Sequence, residues 1–163
     1  MSERRLLTGN AAAAWDARLA DVDYIPEFPI TPQTEIIELL ATWVAQGQIA
    51  ARYTTMDSEH SMLTAAGAAA ATGARVFTAT SSQGLLYSFE MLYTVAGWRV
   101  PLVMVNVSRG LASPITLEAD HNDILSARDA PSARQSGRFF VILHPRTSRG
   151  PHWRRGEGIP PDV

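Results

Sequence analysis

The sequence predicts an α/β protein built as a three-layer parallel sheet, and two observations carry that prediction. Between residues 23 and 107, short β-favouring runs alternate with longer helical ones, the pattern of successive βα units. The last short run, VPLVMVNV, is almost unbroken in its apolar character, which suits the centre of a sheet covered on both faces.

The elements follow in order. Residues 23–28 (DYIPEF) form the first expected strand, although Pro26, lacking a backbone N–H, suits an edge or a strand start better than a central position. A helix is expected over 31–47, where Ile36, Leu39, Leu40 and Trp43 or Val44 share one face, Pro32 suits the first turn and Gly47 the end. Strand 51–56 (ARYTTM), helix 58–73, strand 74–80 (ARVFTAT) and a helix over 83–97 that closes on Gly97 lead into strand 100–107. The Ala/Gly helix that begins near Glu59 has two readings: small side chains that admit another backbone closely, or a good helix former laid on a sheet. After Asp129 the composition turns to Arg, Pro, Ser and Gly around one brief apolar run, FFVIL, with no further βα alternation expected. The expected division is therefore an α/β domain over 1–129 and an Arg/Pro-rich, poorly ordered tail over 130–163.

Composition narrows the chemistry. A chain of 163 residues with 46% hydrophobic content is long and apolar enough for one domain with a real core. A formal net charge of -2 gives no general attraction to nucleic acid, and no nucleic-acid partner is expected. All 14 basic residues are Arg. The absence of Cys excludes disulfides, thiolate-bound zinc and iron–sulfur clusters ligated by this chain. No apolar run is long enough to span a bilayer, and the expected compartment is the cytoplasm.

In open parallel sheets, ligands gather outside the carboxyl ends of the strands. Four loops at that edge carry polar or reactive groups: FPITP, MDSEH, TSSQG and NVSRG. Glu59 falls in the first turn of its helix, behind Ser58 as N-cap, where the helix dipole favours a carboxylate by under about 1 kcal/mol. A dipole-stabilising acid explains Glu59 alone, but not a cluster of Glu59, His60, Ser81, Ser82 and Gln83 at adjacent strand ends. Arg109 reads either as a solvated loop base or as an anion clamp that grips a carboxylate through two parallel hydrogen bonds. Thr31 reads as a helix cap or as a hydroxyl donor to the same carboxylate. His60 and His121 match no recognised metal spacing, so ordinary polar roles and no metal site are expected. Asp120 and Asp123 have no evident partner. A dinucleotide fingerprint, a P-loop, a nucleophile elbow and a GDG…N signature for Mg²⁺-diphosphate are all missing.

Five segments in order, TGNAAAAW, FPITPQTEIIELL, SEHSMLTAAGAAAATGARVFTATSSQGL, EMLYTVAGWRVPLVMVNVSRGLASPI and DHNDILSARD, resemble one family. It is that of the 2-oxoacid:ferredoxin oxidoreductases, typified by pyruvate:ferredoxin oxidoreductase, and the match is to the N-terminal pyrimidine-binding domain of the alpha subunit. The resemblance covers Leu7 to Asp129. Beyond it the family continues into a SGW-like segment and a second domain that this sequence does not match, which implies a shortened subunit. The resemblance further implies thiamine diphosphate shared with a beta-type partner subunit, whose Mg²⁺-diphosphate site accounts for the missing GDG…N. It also implies iron–sulfur clusters on ferredoxin-like subunits, ferredoxin as electron acceptor, and a 2-oxoacid and coenzyme A as substrates. Residue by residue, Glu59 is similar to the glutamate that hydrogen-bonds N1′ of the aminopyrimidine and favours its imino tautomer. Thr31 and Arg109 match positions that hold the 2-oxoacid carboxylate, and Pro29, Ser82 and Gln83 lie where the family packs its loops beside the cofactor. Two rival readings remain: a catalytically silent chain that only binds partners or self-associates, and a transketolase-like half-subunit, for which no sugar-phosphate cluster of bases is present.

Overall fold

The computed structural model describes residues 6–111, 116–127 and 141–143. It opens with a helix absent from the sequence reading, α1 (Gly9–Leu19). Its run of alanines is the best of helix formers, Thr8 caps it by accepting from the Ala11 N–H at 3.1 Å, and Ala13, Ala14 and Ala17 are buried. β1 (Tyr24–Glu27), α2 (Thr34–Ala45), β2 (Arg52–Thr55) and α3 (Glu59–Ala71) follow. α2 begins at Thr34 with Gln33 in the cap position, so Pro32 precedes the helix instead of opening it, and the Thr31–Pro32 peptide is cis.

The chain continues through β3 (Phe77–Thr80), α4 (Ser82–Tyr87), α5 (Phe89–Trp98), β4 (Val103–Val107), α6 (Asn122–Ala127) and β5 (Val141–Leu143). The single helix expected over 83–97 is thus two, divided at Ser88, whose hydroxyl donates to the Leu85 carbonyl at 3.1 Å. α5 ends on Arg99 in the left-handed conformation (φ 56°), not on Gly97. β5 corrects the expectation that βα alternation stops at Asp129: the apolar FFVIL run supplies a strand that pairs in parallel with β4, Val105 facing Val141. The rest of the expected tail lies outside the described residues.

All ladders are parallel. β1 pairs with β2, and β3, β4 and β5 form a second run joined to the first where Tyr24 bridges Val76. Pro26 therefore sits in an interior strand, contrary to the expectation of an edge or a strand start. Asp23 and Glu27 offer their carbonyls to β2, whereas the Tyr24 N–H turns to Arg75. By alternation, the N–H that proline lacks is one that β3 would have received, and the Thr78 hydroxyl donates instead to the Pro26 carbonyl at 2.8 Å. Proline is tolerated here because it ends the β1–β3 ladder after a single bridge.

α1 and α2 cover one face of the sheet, with Ile25, Ile36, Leu40, Phe77, Val105 and Val107 in the core between. α3 and α5 cover the other, over Leu63, Ala66, Val76, Leu92, Val95 and Met104. This is the three-layer α/β architecture that the alternation predicts. The Ala/Gly content of α3 has a specific cause at Gly67, where a Cβ would stand 2.6 Å from Val95 Cγ2 and 3.1 Å from Trp98 Cζ3. No helix among the described residues is long and apolar enough to cross a membrane.

Candidate cofactor and substrate site

The strand directions bring the four polar loops to one edge of the sheet. Glu59 opens α3 and is only 6% exposed. Ser58 and Ser61 close a capping box around the helix start, so the dipole-facing amides are partly satisfied without the Glu59 side chain. That carboxylate instead lies across the first turn of α4: a Cβ at Gly84 would stand 2.6 Å from Glu59 Oε1, 2.9 Å from its Cγ and 2.4 Å from Thr80 Oγ1. The capping explanation is therefore insufficient, because the acid is folded inward against β3 and α4.

Arg109 follows β4 and is 5% exposed, which excludes a solvated loop base. Its Nη2 donates to Gln83 Oε1 at 2.9 Å, joining the loops after β3 and β4. Ser82 is fully buried with φ 43°, a left-handed conformation costly for a residue with a side chain. Its hydroxyl donates to the Gly110 carbonyl at 2.9 Å and its N–H to Asp123 Oδ2 at 3.2 Å.

Thr31 and Pro29 are exposed on the FPITP loop. Thr31 does not cap α2, since Gln33 takes that place. The loop is pinned at both ends: Asn10 Nδ2 donates to the Pro32 carbonyl at 2.9 Å, and Gln33 Nε2 to the Phe28 carbonyl at 2.8 Å. The structure thus brings Glu59 and Thr80 each against Gly84 and joins Arg109 to Gln83, while Thr31 and Pro29 stand on their own loop with no hydrogen bond to Glu59 or Arg109 among the described residues. His60 stays at the surface, 3.5 Å from Glu90 on α5.

Unsatisfied groups mark the same edge. Arg109 Nε, Thr80 Oγ1, Ser81 Oγ, Asn106 Oδ1, Gln33 Oε1 and Glu27 Oε2 are buried without a hydrogen-bond partner among the described residues. Natural proteins leave few such groups, and a concentration of them at strand ends points to bound ligand. Glu27 is 3% exposed and accepts from Thr55 Oγ1 at 2.5 Å. Burial, then the nearby Glu27 carboxylate, then Glu38, push the Tyr53 phenol well above its ordinary range. By contrast, an apolar pocket lined by Ala13, Ala17, Val22, Phe77 and Val103 lies toward the amino ends of β1 and β3, away from these groups.

Sequence reasoning missed Gly84, Asn10, Gln33 and Asp123. An isolated glycine in a helical run signals a close approach, so Gly84 had a legible mark. Asp123 had none: its partners Asn106 and Ser82 are distant in sequence.

Comparison with known proteins places the fold and the sequence in one family. Residues 16–147 match the family described as pyruvate flavodoxin/ferredoxin oxidoreductase, thiamine diphosphate-binding, a span that reaches past Asp129 and includes β5. The chain is 50% identical over 130 residues to the pyruvate synthase subunit PorA of Methanocaldococcus jannaschii, covering 80% of this chain and 33% of that protein. It is 49% identical over 126 residues to the ketoisovalerate oxidoreductase subunit VorA of Pyrococcus horikoshii, covering 77% of this chain and 32% of the relative. A solved 2-oxoglutarate:ferredoxin oxidoreductase from Magnetococcus marinus, with 2-oxoglutarate, coenzyme A and succinyl-CoA bound, superposes with a TM-score of 0.61 at 28% identity, over 66% of this chain and 18% of that one. The chain spans about a third of the length of the PorA and VorA relatives. With the three-layer fold and these matches in agreement, the chain belongs to the thiamine diphosphate-binding domain family of the pyruvate flavodoxin/ferredoxin oxidoreductases.

Proposed function

We propose that this chain supplies the aminopyrimidine-binding half of a thiamine diphosphate site in a 2-oxoacid:ferredoxin oxidoreductase. The observation that carries this reading is the Glu59 carboxylate, buried and laid over Gly84 beside the unpartnered hydroxyl of Thr80. An acid held there has the chemistry required to hydrogen-bond a ring nitrogen of the aminopyrimidine, and Pro29, Ser82 and Gln83 form the polar and apolar surround. The bound cofactor supplies the electron sink that lets a 2-oxoacid lose carbon dioxide. Glu59 holds the proton at N1′, Arg109 offers its unpartnered Nε to the substrate carboxylate, and Thr31 adds a hydroxyl from the FPITP loop.

The reading assigns Mg²⁺ and the diphosphate to a beta-type partner subunit, and iron–sulfur clusters to ferredoxin-like subunits, consistent with a chain that has no Cys. Electrons then pass to ferredoxin and the acyl group to coenzyme A, with pyruvate or a related 2-oxoacid as substrate. A second reading is a catalytically silent chain that only binds partner subunits or self-associates. Calorimetric titration of thiamine diphosphate with Mg²⁺ into the complex with its beta-type subunit tests both. Binding by the wild type, with C2-proton exchange lost in Glu59→Gln, supports the enzyme reading. A complex that forms but binds no cofactor overturns it in favour of the docking reading.

A further inference from the structure

Asp123 is a buried carboxylate that the chemistry above does not use. It is fully buried on α6 and faces no cation among its hydrogen-bond partners. Its Oδ2 accepts from Asn106 Nδ2 at 2.8 Å and from the Ser82 N–H at 3.2 Å; its Oδ1 accepts from the Ile124 N–H at 2.8 Å. Asn106 is the penultimate residue of β4, three residues before Arg109, and also donates to Ser108 Oγ at 3.2 Å. Ser82 is the strained residue directly before Gln83, and its hydroxyl holds the Gly110 carbonyl. One carboxylate oxygen therefore ties the first residue of α4 to the end of β4, the two segments whose side chains Gln83 and Arg109 meet at 2.9 Å.

We propose that Asp123 is a positioning residue for the 2-oxoacid carboxylate clamp, acting through Ser82 and Asn106 to set the guanidinium of Arg109 against Gln83. The proposal rests on the reading of Arg109 as that clamp. The three donors to Asp123, the Ser82 and Ile124 N–H groups and the Asn106 amide, are all neutral, so Asp123 works here as a hydrogen-bond acceptor. Its energy goes into holding Ser82 at positive φ and the two loops in one register, where a small displacement costs reactivity steeply.

The test compares Asp123→Ala, Asp123→Leu and Asp123→Asn in the assembled enzyme. Asn keeps an acceptor at the Oδ2 place; Leu keeps the bulk without one. Loss of the acceptor is expected to raise KM for the 2-oxoacid about tenfold in the Ala and Leu chains, with kcat within about threefold, while Asn stays within about threefold of wild type in both. Where Ala and Leu fail to assemble, Asn106→Ala withdraws the β4 link to Asp123, together with the bond to Ser108, while leaving the Ser82 contact, and is expected to raise KM about threefold. An unchanged KM in these variants, or a loss confined to kcat, overturns the positioning role while leaving the clamp intact. A wild-type complex that binds thiamine diphosphate but turns over no 2-oxoacid overturns the clamp reading itself, and the role of Asp123 with it.

Discussion

Glu59 and Gly84 occupy one space between them: the carboxylate of Glu59 fills the position where any side chain at residue 84 would begin, 2.6 Å from Oε1. That relationship makes the first prediction. Gly84→Ala forces Glu59 out of its place over α4, since Thr80 Oγ1 blocks the other direction at 2.4 Å. The affinity of the assembled complex for thiamine diphosphate is expected to fall by roughly 10- to 100-fold, read by calorimetry. Unaltered affinity would mean that Glu59 does not meet the cofactor from this position.

The backbone of Ser82 gives a second, independent prediction. Left-handed φ costs an L-residue about 1–2 kcal/mol, and the hydroxyl bond to Gly110 returns about 1 kcal/mol. Ser82→Ala keeps the strain and loses the bond, whereas Ser82→Gly loses both. The glycine chain is therefore expected to be more stable than the alanine chain by about 1 kcal/mol in urea denaturation. Equal midpoints would show that the strain is relieved elsewhere.

Burial and the neighbouring Glu27 carboxylate raise the Tyr53 phenol in the folded chain. The unfolded chain releases that proton near pH 10, so stability from Tyr53 is complete below that value and is lost as pH rises above it. Melting temperatures measured from pH 8 to about 11 are expected to fall less steeply at the alkaline end in Tyr53→Phe than in the wild type. Parallel curves would remove Tyr53 as a source of the alkaline loss.

Much of this molecule is legible in its sequence, for physical reasons that also set the limits. Apolar periodicity places α2 and β4 because burial imposes it, and the strand-end rule places Glu59 and Arg109 at one edge. α1 escapes because its buried face is alanine, which leaves no amphipathic mark. Its neighbour packing is instead aromatic, with Trp15 and Trp43 centroids 5.0 Å apart and Arg18 over both rings. Ser88 divides the last long helix through a single hydroxyl bond, and β5 follows a stretch whose composition reads as loop. In the site, residue types point to an acid and an anion clamp. The bonds that tie Asp123 to Asn106 and Ser82 behind Gln83 and Arg109 join residues 17 and 41 positions apart. No local pattern records those contacts.

Gly67 is the packing counterpart of Gly84. A methyl at this position would meet Val95 Cγ2 at 2.6 Å and the Trp98 ring at 3.1 Å, between two helices fixed on one face of the sheet. Gly67→Ala is expected to destabilise the chain by about 1–3 kcal/mol, and Val95→Ala in the same chain to recover part of that loss. Additive destabilisation in the double variant would show that α3 and α5 separate instead of colliding.

Arg109 separates charge from geometry. Its guanidinium is buried, uses Nη2 on Gln83 and keeps Nε unpartnered, so its use as a clamp depends on a planar fork held at a fixed angle. Arg109→Lys preserves the charge but replaces the fork with a point donor that cannot serve Gln83 and a carboxylate in the same plane. In the assembled enzyme it is expected to raise KM for the 2-oxoacid by roughly 10- to 100-fold. Gln83→Ala, which leaves the guanidinium intact but unsupported, is expected to cost about tenfold or less. If lysine matched arginine, long-range charge alone would draw the substrate. If Gln83→Ala proved as severe as Arg109→Lys, Gln83 would be a direct partner of the substrate and not only a support for Arg109.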